Sequence, residues 1–261
     1  MIFSPEVLRP RPVIAVEELS VIFPGENGGL HALNQVSFSV EPQAFVCILG
    51  PSGSGKSTLL RTLAGLLAPT YGRVLIDGKP VNGPRREIGF VFQKANLLPW
   101  RSVLENILLP LELTGLPRMQ ALESAQEMVE LVGLQGFEDT LPRDLSGGMA
   151  QRVAIARALV QDPEVMLLDE PFGALDALTR ERMADELLAI WQKKRKTVVM
   201  VTHSISEALF LADRVLVLSQ RPGQLILDLP DGMPRPRQEE MRYTPEFGRL
   251  ARQLRAAIGE V

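Results

Sequence analysis

Cysteine is almost missing from this chain, with one residue, Cys47, in 261. A single thiol closes no intramolecular disulfide, so cross-links are excluded as a source of stability and a reducing cytoplasm suits the sequence. Cys47 lies in the apolar run 44–49, where a thiol packs as a small hydrophobe. Long apolar runs are missing too, since no uninterrupted stretch approaches the roughly 18 residues of a membrane-crossing helix. The opening MIFSPEVLRPRPV has no charged segment followed by a long apolar core. The chain is therefore expected to be neither exported nor membrane-spanning. Charge of one sign is also scarce: 28 Lys and Arg are interspersed with 31 Asp and Glu, for a net charge of −3. That balance gives no basic field, so no nucleic-acid partner is expected.

What is present is alternation of strand and helix. From Val13 to Val40, short β-rich runs are broken by Pro24-Gly25 and Gly28-Gly29, the pattern of a small antiparallel sheet. Phe45 to Leu49 is a compact apolar strand that enters a glycine-rich loop, and Ser57 to Leu67 reads as a helix stopped by Pro69 and Gly72. Further buried strands are expected at 89–92, 165–168, 198–202 and 215–218, separated by helical stretches. The fold class expected is α/β, a P-loop core with an N-terminal antiparallel β-subdomain and an inserted helical subdomain. The insert spans about residues 96–155, with Arg118 to Val132 its clearest helix and Gly133 the terminator. Residues 1–12 read as an extension and 13–219 as the main domain. Residues 220–261 read as a turn and strand, a proline-rich linker (DGMPRPRQ) and an amphipathic helix capped by Thr244.

Gly50-Pro51-Ser52-Gly53-Ser54-Gly55-Lys56-Ser57-Thr58 matches GxxxxGK[ST] and sits between a strand and a helix N-terminus. Glycines let the backbone wrap a phosphate, consecutive N–H groups point inward and the helix dipole favours negative charge. ATP is the ligand expected, with Lys56 on the β- and γ-phosphates and Ser57 on Mg²⁺. Val165 to Asp169 is an apolar strand ending in Asp169-Glu170, the pair of carboxylates that such a site needs. Asp169 would hold the metal and Glu170 would polarise or deprotonate the attacking water.

Leu145-Ser146-Gly147-Gly148-Met149-Ala150-Gln151-Arg152, followed by VAIARALV, resembles the signature of the ABC ATPases. Ser146 caps a helix whose first-turn glycines serve no stability purpose and can approach a second phosphate. The resemblance covers about residues 13–219. It implies that the signature completes the site of a second copy, so that two nucleotides are sandwiched head to tail. It also implies that Thr58 contacts the α-phosphate, that Gln93 is the loop glutamine sensing Mg²⁺, and that Asp176 belongs to the loop after the acidic strand. His203 matches the switch histidine near the γ-phosphate, and Phe23 falls where an aromatic stacks on adenine, although it could equally be core. Ala150 and Ser204 depart from the commoner family residues.

One P-loop and one signature suit a separate importer cassette. QKANLLPWRSVLENILLPLEL, ALDALTRE and EALFLADRVLVLSQRPG look like the nitrate, sulfonate and taurine importer group. The resemblance implies a transmembrane permease partner, a solute-binding protein reached indirectly, and a peripheral place on the cytoplasmic face of the inner membrane. Leu97-Leu98-Pro99-Trp100 either docks on the permease or fills the insert's core. An exporter subunit, or a soluble ABC ATPase, stays open as an alternative.

Overall fold

Alternate residues of each apolar run face opposite sides of one sheet, and that alternation builds the molecule. The structure is a computed structural model that describes residues 11–25, 29–230 and 233–259; most of the expected extension 1–12 lies outside them. In strand β3 (Phe45–Leu49), Phe45, Cys47 and Leu49 join one core while Val46 and Ile48 join another. Strands β7 (Val165–Asp169), β8 (Thr197–Val201) and β9 (Arg214–Leu218) divide their side chains between the same two cores. A strand covered on both faces must be apolar at every position, which is why these runs show no polar alternation.

Among the described residues the strands form two sheets. One has the order β10-β9-β3-β8-β7-β6, where β6 is Ile88–Val91 and β10 is Leu225–Pro230. Four of its five pairings are parallel, and the edge pair β9 and β10 is antiparallel. The other sheet is antiparallel: β1 (Ile14–Phe23) lies between β2 (Leu30–Val40) and β4 (Tyr71–Ile76), and β5 (Lys79–Pro80) extends it. Helix α1 (Lys56–Leu63) packs with this second sheet on one face of the first.

The opposite face carries α2 (Val103–Thr114), α3 (Arg118–Leu131), α4 (Gly147–Leu159), α5 (Ala177–Lys194), α6 (Ile205–Leu211) and α7 (Pro245–Gly259). A capping box starts α2, with the Ser102 hydroxyl accepting from the Glu105 N–H and the Glu105 carboxylate accepting from the Ser102 N–H. Asn106, wholly buried in the same helix, accepts from the Leu98 N–H at 2.8 Å and donates to the carbonyls of Leu98, Arg101 and Ser102. The loop before α2 is thereby fixed. Leu97 packs on the core, whereas Trp100 is 72% exposed.

Two expectations change. The helix expected over 57–67 ends at Leu63, because Gly65 takes φ +71° and any Cβ there would lie 2.2 Å from the Gly83 carbonyl oxygen. The terminator is thus a close approach from a distant segment, and Gly72, read as a stop, lies inside β4. The proline-rich stretch is no loose linker over its described part, 233–238. Met233 and Arg237 are buried, Arg237 donates to the Ala212 carbonyl, and the Arg235 guanidinium lies 4.2 Å from the Trp191 ring centroid. Arg235 also donates to Asp213 Oδ1 at 2.6 Å and to the Leu211 carbonyl at 2.7 Å. Beyond it Thr244 accepts from the Phe247 N–H, and α7 buries Phe247, Leu250 and Leu254.

Arg235→Ala is expected to lower unfolding free energy by about 2 kcal/mol, from one charge-assisted pair and one cation–π contact that are mostly out of water. Urea unfolding measures it. Arg235→Lys should recover only part, since an ammonium cannot serve the carboxylate, the carbonyl and the ring together. A loss below about 0.5 kcal/mol, the ordinary size of a surface change, would return this stretch to a linker.

Candidate active site

Register brings the chemistry together. In the parallel sheet Ile48 pairs with Val201, and Val201 pairs with Asp169, so the carboxyl ends of β3, β8 and β7 are level. The residues just beyond those ends are Gly50, Thr202-His203 and Glu170. Val91 of β6 pairs with Leu168, which places Gln93 at the same edge. Open parallel sheets bind ligands at this edge.

After β3 the chain turns through Gly53 at φ +79° and Gly55 at φ +92°, and Gly55 occupies the N-cap of α1 with no side-chain cap and no acid in the first turn. The helix's leading N–H groups and its dipole are left for an external anion. Lys56 is buried, and its ammonium donates to the carbonyls of Gly50 and Pro51 at 2.9 Å each, 4.0 Å from Glu170 Oε1. Burial lowers its pKa, and the charges of Glu170 and Asp169 oppose that. Ser54 is wholly buried, with a hydroxyl that has no partner among the described residues. Buried donors and a buried cation around a cradle are what a polyphosphate requires.

The Ser57 hydroxyl donates to Asp169 Oδ1 at 2.7 Å. Burial raises the Asp169 pKa; the Ser57 bond and the cations Arg61 and Lys56 work against it. Hydroxyl and carboxylate oxygens side by side are the hard donors that Mg²⁺ selects, so this pair fits that ion. Glu170 follows in the left-handed region, φ 44°, which costs a non-glycine residue on the order of 1–2 kcal/mol. Its N–H bonds the Val201 carbonyl at 3.0 Å, fixing the turn. The bend aims Oε2 at His203 Nδ1, 3.0 Å away, while the imidazole stays half exposed.

A cavity of about 430 Å³ opens over this edge; Asp169 and His203 are not in its lining and adjoin it through Ser57 and Glu170. Ser52, Gly53, Gly55, Lys56, Ser57 and Thr58 form its phosphate end, and Gln93 and Glu170 its side. Phe23, Leu30 and Ala32 make an apolar end suited to a base. Phe23 is half-buried and packs on the antiparallel-sheet core as well as lining the cavity.

Ser146, Gly147, Gly148 and Asp176 do not line this cavity. Ser146 caps α4, accepting from the Met149 N–H, and Asp176 caps α5, accepting from the Thr179 N–H at 3.0 Å. Bonds from the Thr179 hydroxyl and then its N–H hold the Asp176 carboxyl below its ordinary pKa. Gly147 is exposed, but Gly148 is buried, and a Cβ on it would come 3.3 Å from the Thr179 methyl. Tight packing on α5 thus accounts for one of two glycines read as having no structural purpose.

Sequence reasoning missed several residues. Arg221, which reads as part of a turn, lines the cavity. Gln151 on α4 donates to the Phe92 carbonyl, and Arg157 donates to the carbonyls of Ala95 and Asn96, clamping the segment around Gln93. Only the apolar setting of α4 hinted that its polar residues have partners.

The family model for the ABC transporter matches residues 33–173. An uncharacterized ABC transporter ATP-binding protein of Methanocaldococcus jannaschii is 50% identical over 229 residues, 88% of this chain and 86% of that protein. A taurine import ATP-binding protein of Rhizobium johnstonii is 45% identical over 252 residues, covering 94% and 96%. A nitrate import ATP-binding protein of a Synechocystis strain is 43% identical over 251 residues, covering 94% of each. Among solved structures, a dimeric ATP-binding cassette in a post-hydrolysis state, bound to ADP and Pi, matches with TM-score 0.75 and 34% identity over 84% of this chain and 99% of that one. The P-loop edge, the two carboxylates and these likenesses agree: the chain belongs to the ABC transporter family, as an ATP-binding, ATP-hydrolysing cassette.

Proposed function

We propose that this cassette is the ATPase subunit of an importer for a small anionic or sulfonate-like solute of the nitrate, sulfonate and taurine type, acting as a pair on the cytoplasmic face of the inner membrane. The observation that carries the reading is a half-built site: the phosphate loop, Gln93 and Glu170 line one cavity, with Ser57 bonded to Asp169 and Glu170 to His203 behind them, while the signature does not line it. A second copy would supply Ser146, Gly147 and Gly148 across the nucleotide, and Asp176 beside them. On this reading residues 13–219 form the ATPase domain with the insert at about 96–155, and 220–261 a C-terminal appendage.

Within the site Phe23 stacks on the adenine, and Gly50 to Thr58 wrap the phosphates with Lys56 as the cation. Ser57 and Asp169 would hold Mg²⁺, aided by Gln93; the ion, when bound, offsets charge on the phosphate oxygens. Glu170 takes the proton of the attacking water, and His203 orients that carboxylate. Among the described residues no helix is long and apolar enough to cross a membrane; on this reading a transmembrane permease carries the solute. Trp100, an exposed aromatic just before α2, offers an apolar side chain to that permease. A solute-binding protein would deliver the solute to the permease, and no nucleic acid takes part.

Lys56→Ala should leave the fold intact and reduce ATP hydrolysis by about 100-fold or more, as removal of a cation aimed at developing phosphate charge does. Phosphate release measures it; a folded variant hydrolysing at the parent rate refutes the site. Glu170→Gln should bind Mg-ATP without cleaving it and run as a dimer on gel filtration, with monomer in the absence of nucleotide. Adding Gly147→Glu should abolish that dimer by like-charge repulsion, with affinity for the chain's own phosphate loop little changed. A monomer under Mg-ATP, or a dimer surviving Gly147→Glu, would end the trans role of the signature. Trp100→Ala should weaken co-purification with a membrane subunit and leave thermal stability within about a degree or two, because the ring is mostly in water. Unchanged assembly with a large stability loss would reverse that reading.

A further inference from the structure

Glu207 is a buried carboxylate on the seven-residue helix α6, four positions beyond His203. Burial pushes its pKa up, while the Thr202 bond and the charge of Arg180 work the other way. An ionisable group taken out of water on so short a helix is a poor device for stability alone. Both of its oxygens are engaged. Oε2 accepts from the Thr202 hydroxyl at 2.6 Å, and Oε1 lies 3.6 Å from Arg180 Nε. The same guanidinium donates to the Leu175 carbonyl, in the loop that leads to Asp176.

The Thr202 hydroxyl works in both directions, donating to Glu207 and accepting the Ser204 N–H at 3.0 Å. The Thr202 N–H is held by the Ile48 carbonyl, at the end of the strand that feeds the phosphate loop. Backbone on both sides of His203 is therefore fixed. Its ring is half exposed, and among the described residues its one polar side-chain contact is Glu170 at 3.0 Å. With little packing around the imidazole, its aim is set by the backbone, and the backbone is set through Thr202 by Glu207.

The geometry points to Glu207 as the positioning residue of the switch, acting through Thr202 and the 202–204 backbone on His203 and hence on Glu170, with Arg180 anchoring its carboxylate to the Asp176 loop. This rests on the roles given above to Glu170 and His203. It adds a residue that touches neither nucleotide nor water.

The test is a double-mutant cycle on ATP turnover in the full chain, with nucleotide affinity measured separately by titration. Glu207→Ala should lower kcat about tenfold and change the Kd for Mg-ATP less than about twofold, since only the aim of the base is disturbed. Glu207→Gln should return kcat to within about threefold of the parent, because an amide oxygen still accepts the Thr202 bond. In a His203→Ala background Glu207→Ala should cost nothing further, the mark of two residues acting on one line. Thr202→Val cuts the same line at nearly constant volume and repeats the cycle should Glu207→Ala fail to fold. Parent-level turnover in Glu207→Ala, a glutamine variant as slow as alanine, or additive losses with His203→Ala would each overturn the inference while leaving the ATPase site standing. Parent-level turnover in His203→Ala would overturn the role of His203 itself, and this inference with it.

Discussion

Parallel register between three adjacent strands is the constraint on which the site depends. Because β3, β8 and β7 are paired in step, their carboxyl ends lie level and the next residue of each chain segment emerges at one edge. A slip of one residue in any pair would turn Asp169 or His203 to the other face of the sheet. The register is protected by burial on both faces, since every side chain of β3, β7 and β8 is buried and a slip would exchange the contents of two cores at once. Strand apolarity, which looks like a statement about stability, is therefore what fixes catalytic geometry.

The same strand is held at its other end. Phe45, the first residue of β3, donates to the Asp213 carboxylate at 2.8 Å and accepts from the Asp213 N–H at 2.7 Å, and Asp213 is also the partner of Arg235. The C-terminal strap thus closes on the amino end of the strand whose carboxyl end opens into the phosphate loop. Arg242 reinforces the arrangement, lying 3.9 Å from the Phe210 ring centroid on α6 and 3.3 Å from Asp185 on α5. The two helices that follow Asp176 and His203 are tied together from outside by one segment. Strain at Glu170 can persist in such a frame because its neighbours over-determine it.

How far the sequence could be read follows from the range of each interaction. The glycine loop, the acidic strand end and the capped start of α4 are local patterns, and residues 45–58, 165–170 and 146–148 carry them in a few positions each. The early end of α1 was not legible, since Gly65 is constrained by a carbonyl at Gly83 that no local rule foresees. The strap looked like a linker because Pro and Arg are the composition of solvated chain, and only the distant Trp191 and Asp213 make Arg235 structural. Glu207 and Arg180 were passed over for a related reason. A single charge on a helix reads as a wet surface until the partner helix is in place.

Helix α4 then links the Ser146–Gly148 turn to the cavity wall. Its first turn carries the exposed end of the signature, and further along the same helix Gln151 and Arg157 hold the carbonyls of Phe92, Ala95 and Asn96. Those carbonyls flank Gln93 on the cavity wall and lead directly into Leu97 to Trp100, which Asn106 clasps onto α2. The segment that ends at Trp100 is thus joined to α4 by hydrogen bonds at Phe92, Ala95 and Asn96. Because Gln93 sits at the junction, any displacement of α4 relative to the parallel sheet must either carry Gln93 along or break the Arg157 and Gln151 bonds. Charge-assisted bonds from a guanidinium are costly to break, so Arg157 holds α4 firmly to the segment around Gln93. Hydrogen bonds from α4 thus make the sheet edge at Gln93 and the start of the insert one continuous frame.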